Sequence, residues 1–261
     1  MQRLRYAFAF LTRLPLAPRG EASGSDLAGS LPYYPLVGLA AGAVPLAVAL
    51  VPVELEWCDP SLAAALLLTA LVLLTGALHL DGLADAVDGL AGGTDREDAL
   101  RIMKEGTVGP LGVVALILDL LLRWLACSVL IGRGQWNLLL VAPIASRTGL
   151  VALIQFFPYA RREGKSIPFF AGSRPRHLSL ALLLGLVLVV PLAPLLGPAL
   201  LVAGVLAALG AGFYVRPRLG GITGDILGLA NELAEVGILV ACALLPAEGV
   251  LGLPWSGKLP H

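Results

Sequence analysis

From His177 to Val215 the chain carries no Asp, Glu, Lys or Arg. A bilayer core is crossed by about 20 apolar residues of helix, so this stretch is too long for one crossing and long enough for two. Pro191, Pro194, Gly197 and Pro198 punctuate its middle, which predicts two helices joined by a tight turn. Further apolar runs extend from Leu27 to Val53 and from Pro60 to Leu80. Val108 to Ile131 is interrupted by Asp119 and Arg123, and Trp136 to Tyr159 by Arg147. The last run, Thr223 to Leu245, carries Asp225, Glu232 and Glu235 in its first half. The fold expected is an all-α, polytopic transmembrane bundle of about seven spans in one domain over residues 1–261, with six spans as the nearest alternative.

Composition agrees. Charged residues are 14% of the 261 and mean hydropathy is +0.86, whereas about a quarter of a soluble domain is charged. This excludes a disordered chain and argues against a soluble one. The net charge is zero, with no basic excess to suggest nucleic acid as a partner. Cys58, Cys127 and Cys242 make neither a disulfide framework nor a zinc motif.

Basic residues set the orientation. Fourteen fall on one side of a seven-span map: four in the N-terminal segment, then Arg96, Arg101 and Lys104, then five between Arg161 and Arg176, then Arg216 and Arg218. The other side holds Arg133 and Lys258. The positive-inside rule then puts the N-terminus in the cytoplasm. Met1 to Pro18 lacks a convincing cleavage site and reads as an interfacial amphipathic helix, with Leu4, Phe8 and Leu11 buried.

Three constellations could carry chemistry. The first runs from His79 to Gly89, at the expected cytoplasmic end of the second span. Asp81, Asp85 and Asp88 are spaced i, i+4, i+7, within about 60° on one helix face. Like charges so stacked repel unless a divalent cation sits among them, and carboxylate oxygens suit Mg²⁺ with a substrate phosphate completing its shell. The plainer reading, a solvated acidic helix end, fits poorly with the absence of Lys or Arg among them and with the padding of Gly82, Ala84, Ala86 and Gly89.

The second is Gly220-Gly-Ile-Thr-Gly-Asp225 leading to Glu232. Gly221 and Gly224 offer backbone N–H groups to an anion at a helix start, and Asp225 and Glu232 share a face. A capped helix start explains Asp225 but not Glu232 or Glu235, which lie deeper. The third is a set of cations. Arg147 at membrane depth requires a partner, either the acidic cluster or a substrate phosphate. Arg101 and Lys104 are placed for phosphate recognition or serve as topology signals. Asp119 and Arg123, four apart, suit an internal ion pair. His79 is a helix-end group, a supporting partner or a base. The basic loop from Tyr159 to Arg176 covers an anionic ligand or contacts lipid headgroups. Two carboxylate clusters with cations are the parts of a metal-assisted phosphoryl-transfer site.

In these residues the chain resembles the cobalamin synthase family, the adenosylcobinamide-GDP ribazoletransferases. The resemblance runs through Phe10-Leu-Thr-Arg13-Leu-Pro15, Pro35-Leu-Val-Gly38, the aspartate motif from His79 to Gly89, and Ile102-Met-Lys104 with Gly109. It continues through Ser146-Arg147 and Gly220 to Gly228 with Glu232, so it covers nearly the whole chain. It implies a multi-pass enzyme of the bacterial inner membrane with its site on the cytoplasmic side. The family joins adenosylcobinamide-GDP to α-ribazole, or to its 5′-phosphate, releases GMP and requires Mg²⁺. On that reading Asp81, Asp85, Asp88, Asp225 and Glu232 hold the metal and perform the catalysis. Arg147, Arg101, Lys104, Gly221 and Gly224 bind the pyrophosphate. The two substrates and the lipid bilayer are the expected partners, and a homo-oligomer is left open.

Two alternatives stand beside it. Asp85-Ala-Val-Asp88-Gly89 matches the start of the CDP-alcohol phosphotransferase motif, but Leu90-Ala-Gly-Gly93 replaces the Ala-Arg that should follow, and the later aspartates are missing. A transporter would use Arg147 and Asp119 at membrane depth, but no internal repeat accompanies them.

Overall fold

A computed structural model describes residues 1–18 and 22–246. Arg19, one of the four N-terminal basic residues, and Lys258 lie outside the described residues. Among the described residues the chain is helical, with one isolated parallel bridge between Tyr159 and Ile222. An N-terminal helix α1 (Gln2–Leu11) and a short α2 (Gly24–Ala28) lead through a 3-10 turn into α3 (Tyr34–Glu54). Next come α4 (Pro60–Thr75), α5 (Leu78–Gly92), α6 (Arg96–Ile102) and α7 (Pro110–Gly132). The chain continues with α8 (Trp136–Phe156), α9 (Ile167–Gly172), α10 (Pro175–Leu192), α11 (Leu196–Leu219) and α12 (Gly224–Leu244).

Six helical stretches are long and apolar enough to cross a membrane, ending in α3, α7, α8, α10, α11 and α12, and α4 with α5 makes a seventh as a bent pair. The expected division of the 177–215 run appears between Leu192 and Leu196. Asn137 there donates to the Leu192 carbonyl at 2.7 Å, satisfying a helix end that has no further turn to bond. At the centre stands α8. From Leu138 to Ile154 every residue but Leu140 is buried, and α3, α10, α11 and α12 pack around it. The outer faces of α7, α10 and α11 are exposed Leu, Val and Phe side chains, as a lipid-facing surface requires.

The second span differs from its expected form. The sequence reading carries it straight into the aspartate motif, but α5 leaves α4 at 86°. Gly76 closes α4 in the left-handed region (φ +63°) and Ala77 follows at +57°. Two consecutive left-handed residues end the helix and redirect the chain. Arg13 packs against the missing side chain of Gly76 and its backbone N–H donates to the Leu74 carbonyl at 2.8 Å. The turn therefore sends α5 onto α12 and α7.

The basic connections meet at one end of the bundle. Arg96 donates to the carbonyls of Leu219 and Ala160, both at 2.8 Å, and Arg218 to that of Gly93. At α1, Ala7 and Leu11 are buried, Leu4 and Phe8 half-buried, and Phe10 stacks on Phe169 of α9 with ring centres 4.4 Å apart.

Candidate active site

Two glycines bring the aspartate motif to the Gly-Gly-Ile-Thr-Gly-Asp motif. Where α5 crosses α12, a Cβ on Gly82 would lie 3.0 Å from the Gly228 Cα, and one on Gly228 would lie 2.7 Å from the His79 carbonyl. Only glycine at both positions permits this approach. Asp81 stands one residue before the first glycine and Asp225 three before the second, so the crossing places them as neighbours. Asp85 feels the charges of Asp81, Asp225 and Asp88. Asp81 is exposed, and Asp85 and Asp225 are half-buried.

A polar strap closes over this pair. The bridge at Tyr159 is built from Ala160 N–H to the Ile222 carbonyl and Ile222 N–H to that of Pro158, each at 2.8 Å. A Cβ on Gly221 would meet the Pro158 carbonyl at 2.4 Å, so Gly221 serves this close approach. The bridge aims Arg161 at Asp225, whose Oδ2 accepts from its guanidinium at 2.7 Å and from the Thr223 hydroxyl at 3.2 Å. Thr223 also caps α12 by accepting from the Ile226 N–H. Burial raises the Tyr159 phenol above its ordinary value, keeping it a proton donor.

Between strap and helices lies a cavity of about 330 Å³, lined by Asp81, Asp225, Gly224, Arg161, Lys165 and Ser166 at its polar end. An open groove of about 620 Å³ adjoins it, sharing Arg161 and Gly164 and bringing Arg101, Lys104 and Arg162. In this structure Arg101 is paired with Asp98 and Glu105, and its hydrogen bond holds the Asp98 carboxyl below its ordinary value. Lys104 is exposed.

The other expected carboxylates lie elsewhere. Asp88 accepts from the backbone N–H groups of Gly109 at 2.6 Å and Gly112 at 2.8 Å, so it caps the start of α7 with both oxygens. Glu232 sits two turns beyond Asp225 along α12, about 10 Å deeper. It pairs with Arg123 of α7 and stands 4.0 Å from the His79 ring. Arg147 pairs with Glu235, which also accepts from Arg123 at 2.5 Å and from Ser146 at 3.2 Å. Asp119 lies 3.4 Å from Arg123. Five buried charges thus tie α7, α8 and α12 together. The Asp119–Arg123 pair was legible from its spacing; the partners 88 to 112 residues away were not. Sequence reasoning also passed over Arg161 as an individual. Its signal was the Arg161-Arg162 pair directly after the fourth span.

Among the described residues no three His, Cys, Asp or Glu side chains stand close enough together to hold an ion as a group. The donor set at the cavity mouth nonetheless suits Mg²⁺, which is held through one or two carboxylates plus substrate phosphates and water.

The fold and site define a polytopic membrane protein with a half-open, carboxylate-and-arginine pocket at one end of its bundle. Residues 3–243 match the family described as cobalamin-5-phosphate synthase. An adenosylcobinamide-GDP ribazoletransferase of Pseudomonas aeruginosa is 43% identical over 247 residues, 94% of this chain and 98% of that one. The namesakes of Pseudomonas entomophila and Chlorobium chlorochromatii are 40% and 37% identical over 92% and 94% of this chain, and 97% of each relative is covered. No solved structure matches. The chain belongs to the cobalamin-5-phosphate synthase family and is an enzyme of that family.

Proposed function

We propose that this protein joins adenosylcobinamide-GDP to α-ribazole or its 5′-phosphate, giving adenosylcobalamin or its 5′-phosphate and GMP. The observation that carries the reading, beyond family membership, is the meeting of Asp81, Asp225 and Arg161 in one cavity beside a basic groove, with Asp85 one turn further along α5. A ribose hydroxyl attacks the phosphorus attached to the corrinoid side chain. The new P–O bond forms as the anhydride P–O bond breaks, GMP leaves with the bridging oxygen, and the hydroxyl proton passes to a carboxylate of the site.

One or two of Asp81, Asp85 and Asp225, with substrate phosphate and water, would hold Mg²⁺, which when bound would neutralise phosphate charge and stabilise the leaving group. Arg161, with Arg101 and Lys104 across the groove, orients the pyrophosphate. Asp88 positions α7 against α5 instead of touching the phosphates, and Glu232 and Arg147 hold the helices from beneath. The basic connections gathered at this end support a site on the cytoplasmic face of the bacterial inner membrane.

The test is a product assay in lipid nanodiscs with both substrates and either Mg²⁺ or EDTA. Metal-dependent adenosylcobalamin with equimolar GMP is expected. No product from folded protein, with a working positive control, would contradict the reading.

A further inference from the structure

The basic strap between Tyr159 and Arg176 has two faces. The inner one closes the site through Arg161 and Gly164. The outer one borders a separate open groove of about 540 Å³. One wall of this groove is apolar, with Phe156, Ile167 and Phe170, and the other carries Gln155, Arg162 and Ser173.

Position sets its surroundings. α8 ends at Phe156 and α10 starts at Pro175, and both are long and apolar enough to cross a membrane. The groove joins these two helix ends, so it lies where hydrocarbon gives way to headgroups. Phe156 is exposed there, at the level where aromatic side chains gather. The polar groups are also accessible. Arg161 is turned away to Asp225 at 2.7 Å, whereas Arg162 is exposed and has no ion-pair partner among the described residues. Ser173 donates to the Gln155 side-chain oxygen at 2.8 Å, which leaves the Gln155 amide N–H groups for another acceptor. From Tyr159 to Arg176 there are five cations, Arg161, Arg162, Lys165, Arg174 and Arg176, against one acid, Glu163.

We propose that this groove is a binding site for one anionic phospholipid. Arg162 and the Gln155 amide donate to its phosphate, and an acyl chain lies along Phe156, Ile167 and Phe170. Cations beside an apolar wall match a molecule that is phosphate at one end and hydrocarbon at the other. Free phosphate would use the cations and leave the wall in water. The excess of positive charge selects an anionic headgroup over phosphocholine, which brings its own cation. Pockets for single small ligands run from about 300 to 1,000 Å³, so the groove has room for one headgroup and the start of its chain. Arg161 lines this groove as well as the site cavity, so the bound lipid backs the strap that aims Arg161 at Asp225. The site is independent of the transferase reading, and its test reads lipid rather than turnover.

Native mass spectrometry of protein released from phosphatidylcholine nanodiscs with a minor share of phosphatidylglycerol is the measurement. The parent should retain one phosphatidylglycerol in preference to phosphatidylcholine. Arg162→Gln should lower that retention about fivefold, the worth of one arginine at a charged lipid surface. Ala171→Trp fills the groove from an exposed position on α9, away from the site cavity, and should abolish retention. Arg216→Gln removes the same charge at the end of α11, outside the groove, and should leave retention unchanged. In phosphatidylcholine alone all three variants should melt with the parent, and phosphatidylglycerol should raise the melting temperature of the parent and Arg216→Gln alone. Equal retention by the parent and Ala171→Trp, or a loss as large in Arg216→Gln as in Arg162→Gln, would overturn the site. So would displacement of the lipid by inorganic phosphate, or a dimer of the chain in place of the lipid-bound monomer.

Discussion

The molecule contains two clusters of carboxylates and arginines, about two helical turns apart along α12, and they are built for opposite ends. In the deeper one Asp119, Arg123, Glu232, Glu235 and Arg147 are all buried, and each lies within ion-pair distance of another. In the outer one Asp81 is exposed, Asp85 and Asp225 are half-buried, and among the described residues only Asp225 has a cationic partner, Arg161. Charges at membrane depth are tolerated where they neutralise one another, and breaking such a set leaves an uncompensated ion in a poor solvent. Charges at a cavity mouth keep their hydration and can exchange it for a ligand. The same residue types therefore do structural work at one level and remain available for chemistry at the other.

The comparison can be broken most severely at the outer cluster. Asp81→Ala or Asp85→Ala should lower turnover by at least about a thousandfold, since electrostatic stabilisation of phosphoryl transfer would be lost. The melting temperature should hold. Product assay and thermal denaturation on the same nanodisc preparation decide this.

Arg123→Ala should act the other way. It leaves Glu232 and Asp119 without their arginine and Glu235 with Arg147 alone, and should cost about 3–5 kcal/mol of stability. Denaturation in detergent is the measurement, and a loss below about 1 kcal/mol would show that the deep cluster is not holding the helices.

Asp88→Ala sharpens the boundary between the two. It removes the acceptor for two N–H groups at the start of α7 and should cost about 1–2 kcal/mol, as lost caps do. Turnover should fall only partially, through displacement of α7. A complete loss of activity with unchanged stability would return Asp88 to the set that touches substrate.

Much of this was legible in the sequence. Bilayer thickness dictates the length of an apolar run, so the spans could be read directly, and the Pro- and Gly-marked break near residue 193 followed from the 39-residue uncharged stretch. The two acidic motifs were also legible, because unpaired carboxylates beside glycines have few ordinary explanations. The bend at Gly76 and Ala77 was not. An alanine in the left-handed region has no local signature, and Arg13 packs from outside on the glycine before it. Pairing was the other hidden layer. Asp225 and Glu232 share a helix face at i, i+7, yet Arg161 meets the first and Arg123 the second. Periodicity reports the face of a helix, not the depth of a residue or what the neighbouring helix brings to it.

The central claim is that chemistry belongs to the outer cluster and cohesion to the inner one. Asp225→Asn and Glu232→Gln, compared in one nanodisc preparation below both melting temperatures, test it most directly. Asp225→Asn should melt with the parent and form no adenosylcobalamin, while Glu232→Gln should melt earlier and keep turnover within about tenfold of the parent. A Glu232→Gln protein as stable as the parent but inactive, or an active Asp225→Asn protein, would contradict the claim.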